Sequence, residues 1–230
     1  MENAPHATAR EMIEAVVARI HERLPEAQRE LAAAFAEHYF RGTAVEDLAE
    51  LEHANLYGAV LAHFNLAYQR RPGVPNLHAY NPQLEQHGWQ STHTVLEAVC
   101  DDSPFLVDSI RMAINRLGQT CHLIVHPVFR IVRDDAGHLV GILDDGDEGA
   151  REAVMHFEID RVTDEMLEEL EATVRDVVAK VRRVVDDWKP MRERLEAHIA
   201  EIEASPPSLP DGELEESLAF LRWIADDNFT

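Results

Sequence analysis

Residues 100–118 read CDDSPFLVDSIRMAINRLG, and this stretch decides the fold. It reads as a strand end, a capped turn, one amphipathic helix and a glycine stop. Ser103 is predicted to be the N-cap, its hydroxyl accepting from a free amide of the first turn. Pro104 then takes the first helical position, where a missing N–H costs nothing. Phe105, Leu106, Ile110, Ala113, Ile114 and Leu117 repeat at helical spacing and give one buried face. Gly118 suits the left-handed residue that ends many helices.

Downstream, the alternation of apolar residues predicts strands. Residues 92–100 place Leu96, Ala98 and Cys100 on one side and His93, Val95, Glu97 and Val99 on the other. Residues 119–133 form a second strand with Cys121, Leu123, Val125, Phe129 and Ile131 on one face, and Pro127 marks a bulge or an edge. A turn, DDAGH, leads to a third strand at 139–143, and residues 153–161 give a fourth. Residues 164–188 then keep helical spacing over a rod of roughly 36 Å. Pro190 is predicted to kink or break it before a continuation to about Ala204. A last helix follows the linker SPPSLPDG. It carries Leu214, Leu218, Leu221 and Trp223, and its lack of a stop signal suggests a chain that continues in a parent.

Upstream, the period is helical throughout. Residues 10–24, 26–41 and 53–70 each carry one apolar stripe, and Thr43 caps a short helix between them. RRPGVPNLHAYNP reads as a turn-rich connection, which puts the end of a helical subdomain near residue 75. The class is therefore α+β: a helical N-terminal subdomain (1–75), then a mainly antiparallel four-stranded sheet with helices on one face (76–189), then a helical extension (190–230).

Composition narrows the function. A net charge of -22 disfavours nucleic acid and anionic membrane, which need a basic surface. No membrane span and no signal peptide are visible, so a cytoplasmic protein is expected, with Cys100 and Cys121 as free thiols. There is no G-x-G-x-x-G, phosphate loop, H-E-x-x-H, C-x-x-C or G-x-S-x-G, so no catalytic or cofactor-binding residue is assigned.

His93 with Glu97, His122 with His126, and His156 with Glu158 share strand faces. They are residue types that bind metals, but His122 and His126 stand about 13 Å apart along a strand. They are read as polar residues on a solvent or partner face, and no metal is assigned. The mixed face carrying Val95, Val99, Ile124, Val128 and Val132 is expected to be covered by a neighbouring domain or a second copy.

The run GWQSTHTVLEAVCDDSPFLVDSIRMAINRLGQTCHLIVHPVFRIVRDDAGHL (residues 88–139) resembles the N-terminal region of the large bacterial NAD-dependent glutamate dehydrogenases. LYGAVLAHFNLA (56–67) and SLAFLRWIADDNFT (217–230) are similar to the same family. The resemblance implies an ACT-like (ferredoxin-like) domain. The parent would convert glutamate and NAD to 2-oxoglutarate, ammonium and NADH, with NAD and the catalytic residues outside this segment. ACT-like domains often bind amino acids near the first strand–helix turn, which points to Asp101, Asp102, Ser103 and Arg111 as effector contacts. The turn here has no glycine, and the fourth strand precedes the second helix. The favoured role is assembly and interdomain packing in a homo-oligomer, with other domains and subunits of the parent as partners. The alternative is a regulatory domain that binds an amino acid effector.

Overall fold

A computed structural model describes residues 9–40, 53–144, 146–210 and 212–228. The elements run α1 (Ala9–Arg23), α2 (Glu26–Tyr39), α3 (His53–Tyr68), β1 (Asn76–Tyr80), α4 (Leu84–His87), β2 (Thr94–Asp101), α5 (Leu106–Arg116), β3 (Cys121–Val125), β4 (Val128–Arg133), β5 (Leu139–Leu143), β6 (Ala150–Ile159), α6 (Asp164–Ala204) and α7 (Glu213–Trp223), with a π-turn at Ile224–Asn228. Two compact units result, Met1–Ala179 and Lys180–Thr230. The helix read from Thr43 and the stop at Gly42 lie outside the described residues. No described helix is long and apolar enough to cross a membrane.

Every strand pairing is antiparallel. The order is β1-β2-β6-β4-β5, and β3 lies beside β6, end to end with β4. The predicted strand 119–133 is therefore real but interrupted. His126 and Pro127 separate its halves, because Pro127 has no N–H to give a ladder. β1 is an addition to the four predicted strands. Its five residues sit between Pro75 and Pro82, whose turn signals hid it, and it pairs with β2 from Asn76↔Val99 to Tyr80↔Val95.

The central strands β2 and β6 are buried on both faces. One face carries Leu96, Ala98, Met155, Phe157 and Ile159, the partners across the β2–β6 ladder being Leu96↔Phe157 and Ala98↔Met155. This is the face covered by α5, through Ile110 and Ile114, and by the first half of α6, through Leu170 and Val174. The opposite face carries Val99, Val154, Val125, Phe129 and Ile131. It joins one apolar core with Met12, Val16 and Ile20 of α1, Phe35 and Ala36 of α2, and Leu56, Val60 and Phe64 of α3. The cover expected from another domain or copy is thus supplied over Val95 and Val99 by the chain's own helices. Ile124 and Val128 pair with Phe157 and Ala153 and so lie on the other face, which means the five residues expected on one mixed face do not share one; Val128 and Val132 stay exposed (40% and 42%).

Two local expectations are corrected. Ser103 is not the N-cap of α5, since the cap position is Phe105, with φ 69° and no side-chain cap bond. Strand pairing persists to Asp101↔Glu152 and the Asp102 amide bonds the Arg151 carbonyl. The chain is therefore still extended where a Ser103 cap would have to start the helix. Phe105 consequently leaves the buried face and is 69% exposed. Of the two outcomes expected at Pro190, a break is excluded, since the long helix runs from Asp164 to Ala204 with the proline inside it.

Gly58 on α3 lets the helix pack directly on Trp89, in the connection that leads to β2. A Cβ there would lie 2.3 Å from Trp89 Cβ. Trp89 is itself 1% exposed and packs with Tyr80, Val95 and Ala59. Gly58→Ala should therefore cost about 1–3 kcal/mol through forced repacking. Urea unfolding followed by circular dichroism measures this, and an unchanged midpoint would refute the contact.

Candidate functional site

Burying both faces of β2 and β6 traps their polar residues. Glu97, Glu152, His156 and Glu158 are each no more than 4% exposed, and all lie on the face toward the N-terminal helices. They sort into two clusters.

The first surrounds Glu152. Its carboxylate accepts from Arg133 Nε at 2.8 Å and Nη2 at 2.7 Å, and from Arg70 Nε at 3.0 Å and Nη2 at 2.6 Å. Such multiple charge-assisted bonds are short and directional. Arg70 also donates to Asp101, and the Gly73 amide donates to the other oxygen of Asp101 at 2.9 Å. Arg133 donates to the carbonyls of Ala67 and Gly137. The cluster stitches the C-terminal end of α3 to β2, β4 and β6.

The predicted effector residues can be placed against this cluster. Asp101 is tied to Arg70 and the Gly73 amide, and Asp102 pairs with Arg151 at 2.9 Å. Ser103 Oγ is buried and has no hydrogen-bond partner. Arg111 sits on the outer side of α5, 3.9 Å from Asp108, and is 54% exposed. The structure thus brings the two aspartates and Ser103 into one turn and leaves Arg111 at the surface. Cys100, beside them, is a free thiol that burial pushes up to about 12.

The second cluster joins three elements. His63 comes from α3, Glu97 from β2 and His156 from β6, and one ligand-type atom from each lies within 4.8 Å of the others. Tyr39 OH is 3.0 Å from His63 Nδ1, and Tyr80 OH donates to Glu97 Oε1 at 3.1 Å. His156 Nδ1 stands 3.8 Å from Glu97 Oε1, and its Nε2 stands 3.6 Å from Glu158 Oε1. Those are ion-pair distances, longer than a hydrogen bond. Glu158 in turn faces His93 Nδ1 and Ser91 Oγ, both at 3.0 Å.

Electrostatics separates the two buried imidazoles. Burial lowers His63 to about 4, so it is neutral at pH 7. Burial also disfavours the His156 cation, but Glu158 and Glu97 outweigh it and raise His156 to about 9. Burial opposes ionisation of Glu97 as well, yet the His63 and His156 rings hold it below the ordinary carboxylate range. Glu158 is held low in the same way, through His156, Ser91 and His93.

The cluster borders open space. A cleft of about 900 Å³ is lined by residues that include Gln83, Ser91, His93, His122, Glu158 and Arg161. A small void of about 20 Å³ touches Tyr39, Trp89, His156 and Glu158, and it shares Asn55, Leu123 and Glu158 with the cleft. At the cleft wall His93 and His122 stack at 4.4 Å, and His122 Nε2 holds Asp160 at 2.8 Å. Of the strand histidines weighed from sequence, His93, His122 and His156 therefore gather around this region. Glu97 and His156 are buried, where a solvent or partner face was expected. His63 was missed, because a lone histidine in an apolar helix gives no signal until its three-dimensional neighbours are known.

The fold and its dry polar layer define an α+β domain built on an antiparallel sheet with helices on both faces. Residues 35–174 match the family described as glutamate dehydrogenase, ACT1 domain. The NAD-specific glutamate dehydrogenase of Halomonas elongata is 37% identical over 217 residues, covering 92% of this chain and 14% of that protein. That of Pseudomonas aeruginosa is 34% identical over 200 residues, covering 85% and 12%. That of Mycobacterium tuberculosis is 30% identical over 180 residues, covering 73% and 10%. The chain belongs to the glutamate dehydrogenase ACT1 domain family. It spans 14% or less of the length of these relatives.

Two measurements test the clusters. Glu152→Gln leaves Arg70 and Arg133 buried around a neutral amide, and should cost about 3–5 kcal/mol in urea unfolding. A loss below 1 kcal/mol would show that the cluster contributes little. The second test is pH. His156 binds its proton more tightly in the folded chain (about 9, against 6.5 unfolded), so its stabilisation is complete below pH 6.5 and is lost as pH rises through 9. Glu97 and Glu158, both depressed, act in the opposite sense and lose their contribution as acid protonates them. Melting temperature should fall between pH 6.5 and 9, less steeply in His156→Gln; equal slopes would contradict the assignment.

Proposed function

We propose that this chain is a non-catalytic segment of an NAD-dependent glutamate dehydrogenase and serves assembly and interdomain packing. The parent reaction would take glutamate and NAD to 2-oxoglutarate, ammonium and NADH, with the NAD site and catalytic groups elsewhere in the longer protein. Membership of the ACT1 family and the small share of each relative that the chain spans both support this reading.

The observation that carries the assembly role is an uncovered stripe on the second half of α6. Val184, Trp188 and Met191 are 66%, 51% and 67% exposed, at spacings of four and three, so they share one helix face. Large apolar side chains aligned in this way mark a docking surface for another protein segment. Other domains or subunits of a homo-oligomeric parent are the natural occupants.

A second reading is an effector site for an amino acid at Asp101, Asp102, Ser103 and Arg111. It is favoured by the buried, unpartnered Ser103 Oγ beside the left-handed Phe105. The assembly reading expects Trp188→Asp to dissociate or rearrange the full-length parent in analytical ultracentrifugation, while a panel of amino acids leaves the melting temperature of this chain unchanged. An exposed site makes the substitution nearly neutral for folding, within about 0.5 kcal/mol. A shift with one specific amino acid, with assembly intact in Trp188→Asp, would transfer the role to effector binding. The isolated chain should form no NADH from glutamate and NAD; measurable formation would overturn the non-catalytic assignment.

A further inference from the structure

The cluster His63–Glu97–His156 holds two imidazole nitrogens that no hydrogen bond satisfies, one of them, His156 Nδ1, standing 3.8 Å from the Glu97 carboxylate. His63 Nε2 and His156 Nδ1 are both buried and without a hydrogen-bond partner. Unpaired buried nitrogens are costly and rare, and each calls for an explanation. Here both belong to the one set of three metal-ligand residues found among the described residues, with the Glu97 carboxylate as its third member.

The surroundings are those of a prepared coordination site. A ligating histidine normally has its second nitrogen held by a polar partner, which fixes the ring and its tautomer. His63 Nδ1 is held by Tyr39 OH, and His156 Nε2 faces Glu158. With the protons on those sides, Nε2 of His63 and Nδ1 of His156 are left with unshared lone pairs. Glu97 is steadied by Tyr80 OH. Ligands about 2.1 Å from a tetrahedral ion stand roughly 3.4 Å from one another. The present atoms, within 4.8 Å of one another, reach that by side-chain shifts that bring each inward by less than about 1 Å.

Charge points the same way. Glu97 and Glu158 place two carboxylates beside the site, each no more than 4% exposed, with His93 half-buried at the rim. A divalent ion carries the charge that balances both carboxylates. The void beside His156, about 20 Å³, is large enough for one water, and it shares wall residues with the open cleft.

We propose that His63 Nε2, His156 Nδ1 and Glu97 bind a divalent transition-metal ion of the zinc class, which clamps α3 onto β2 and β6. Two imidazoles and a carboxylate suit zinc, cobalt or ferrous iron, and exclude the all-oxygen preference of calcium and magnesium. The site joins the helical layer to the sheet and does not depend on what the parent enzyme catalyses.

The test uses the 230-residue chain, stripped with chelator and titrated with zinc chloride. We expect a melting temperature that rises with zinc concentration, since an ion that binds only the folded state stabilises by mass action. Affinity should increase with pH as His156 gives up its proton. Loss of one ligand in His63→Ala should weaken binding by about 100-fold or more. His122→Ala, at the exposed cleft wall, should leave binding unchanged. Because His63→Ala removes a core side chain, a second measurement stays with the wild type: X-ray absorption of the zinc-loaded chain should show two imidazoles and a carboxylate. Binding only at millimolar zinc, binding abolished by His122→Ala, or a zinc spectrum without two imidazoles would overturn the proposal. The cluster would then be a proton-held ion pair alone.

Discussion

The structure depends on one constraint: β2 and β6 are covered on both faces, so their buried polar side chains must find partners among one another and in the helices packed on them. An isolated charge in such a layer would be prohibitive, and pairing alone recovers only part of the cost. The chain meets this with convergent side chains. Glu152 takes two arginines, and Glu97 and Glu158 share the His156 cation. The partners arrive from the helical layer as much as from the sheet. Arg70 follows the end of α3, His63 lies within α3, and Tyr39 closes α2. The helical region and the sheet therefore belong to one compact unit, joined by the polar layer as well as by apolar contact.

That view changes the meaning of the strand–helix turn at Asp101–Phe105. Two adjacent carboxylates before a helix suggest a receptor for a ligand. In the fold, Asp101 instead completes the charge balance around Arg70, and Asp102 pairs with Arg151 on the neighbouring strand. Together they hold the chain extended to the end of β2. Phe105 must then enter the helix from the left-handed region, a conformation unfavourable for a bulky residue. The buried hydroxyl of Ser103 and this strained entry are what remain of a ligand-ready turn. The uncovered apolar stripe of α6 is a separate matter of surface, and the proposed assembly role rests on it.

Much of this was legible in the sequence wherever one periodicity dominates. The alternation Leu96–Ala98–Cys100 against Val95–Glu97–Val99 set the β2 faces correctly, and Met155–Phe157–Ile159 did so for β6. Pro127 marked the break between β3 and β4. What failed depended on partners distant in sequence. β1 is five residues hemmed by prolines and exists because β2 offers it an edge. Ser103 has the right chemistry for a cap, but Arg70 and Arg151, 33 and 48 positions away, decide the backbone path. His63 sits in a helix whose apolar stripe explains every neighbour, so nothing local singles it out. Glu97 and His156 were grouped with solvent-facing residues because the sequence gives no sign that the N-terminal helices fold back over them.

The central claim is that the helical layer and the sheet open together, bound by the buried polar layer. Native-state hydrogen exchange of the 230-residue chain tests it most directly. The account expects the amides of α3 to exchange with the same opening free energy as those of β2 and β6, because α3 cannot leave without uncovering the buried Glu97 and pulling on the Arg70 bonds to Glu152 and Asp101. Exchange of α3 through a separate opening, well below that of the sheet, would contradict it.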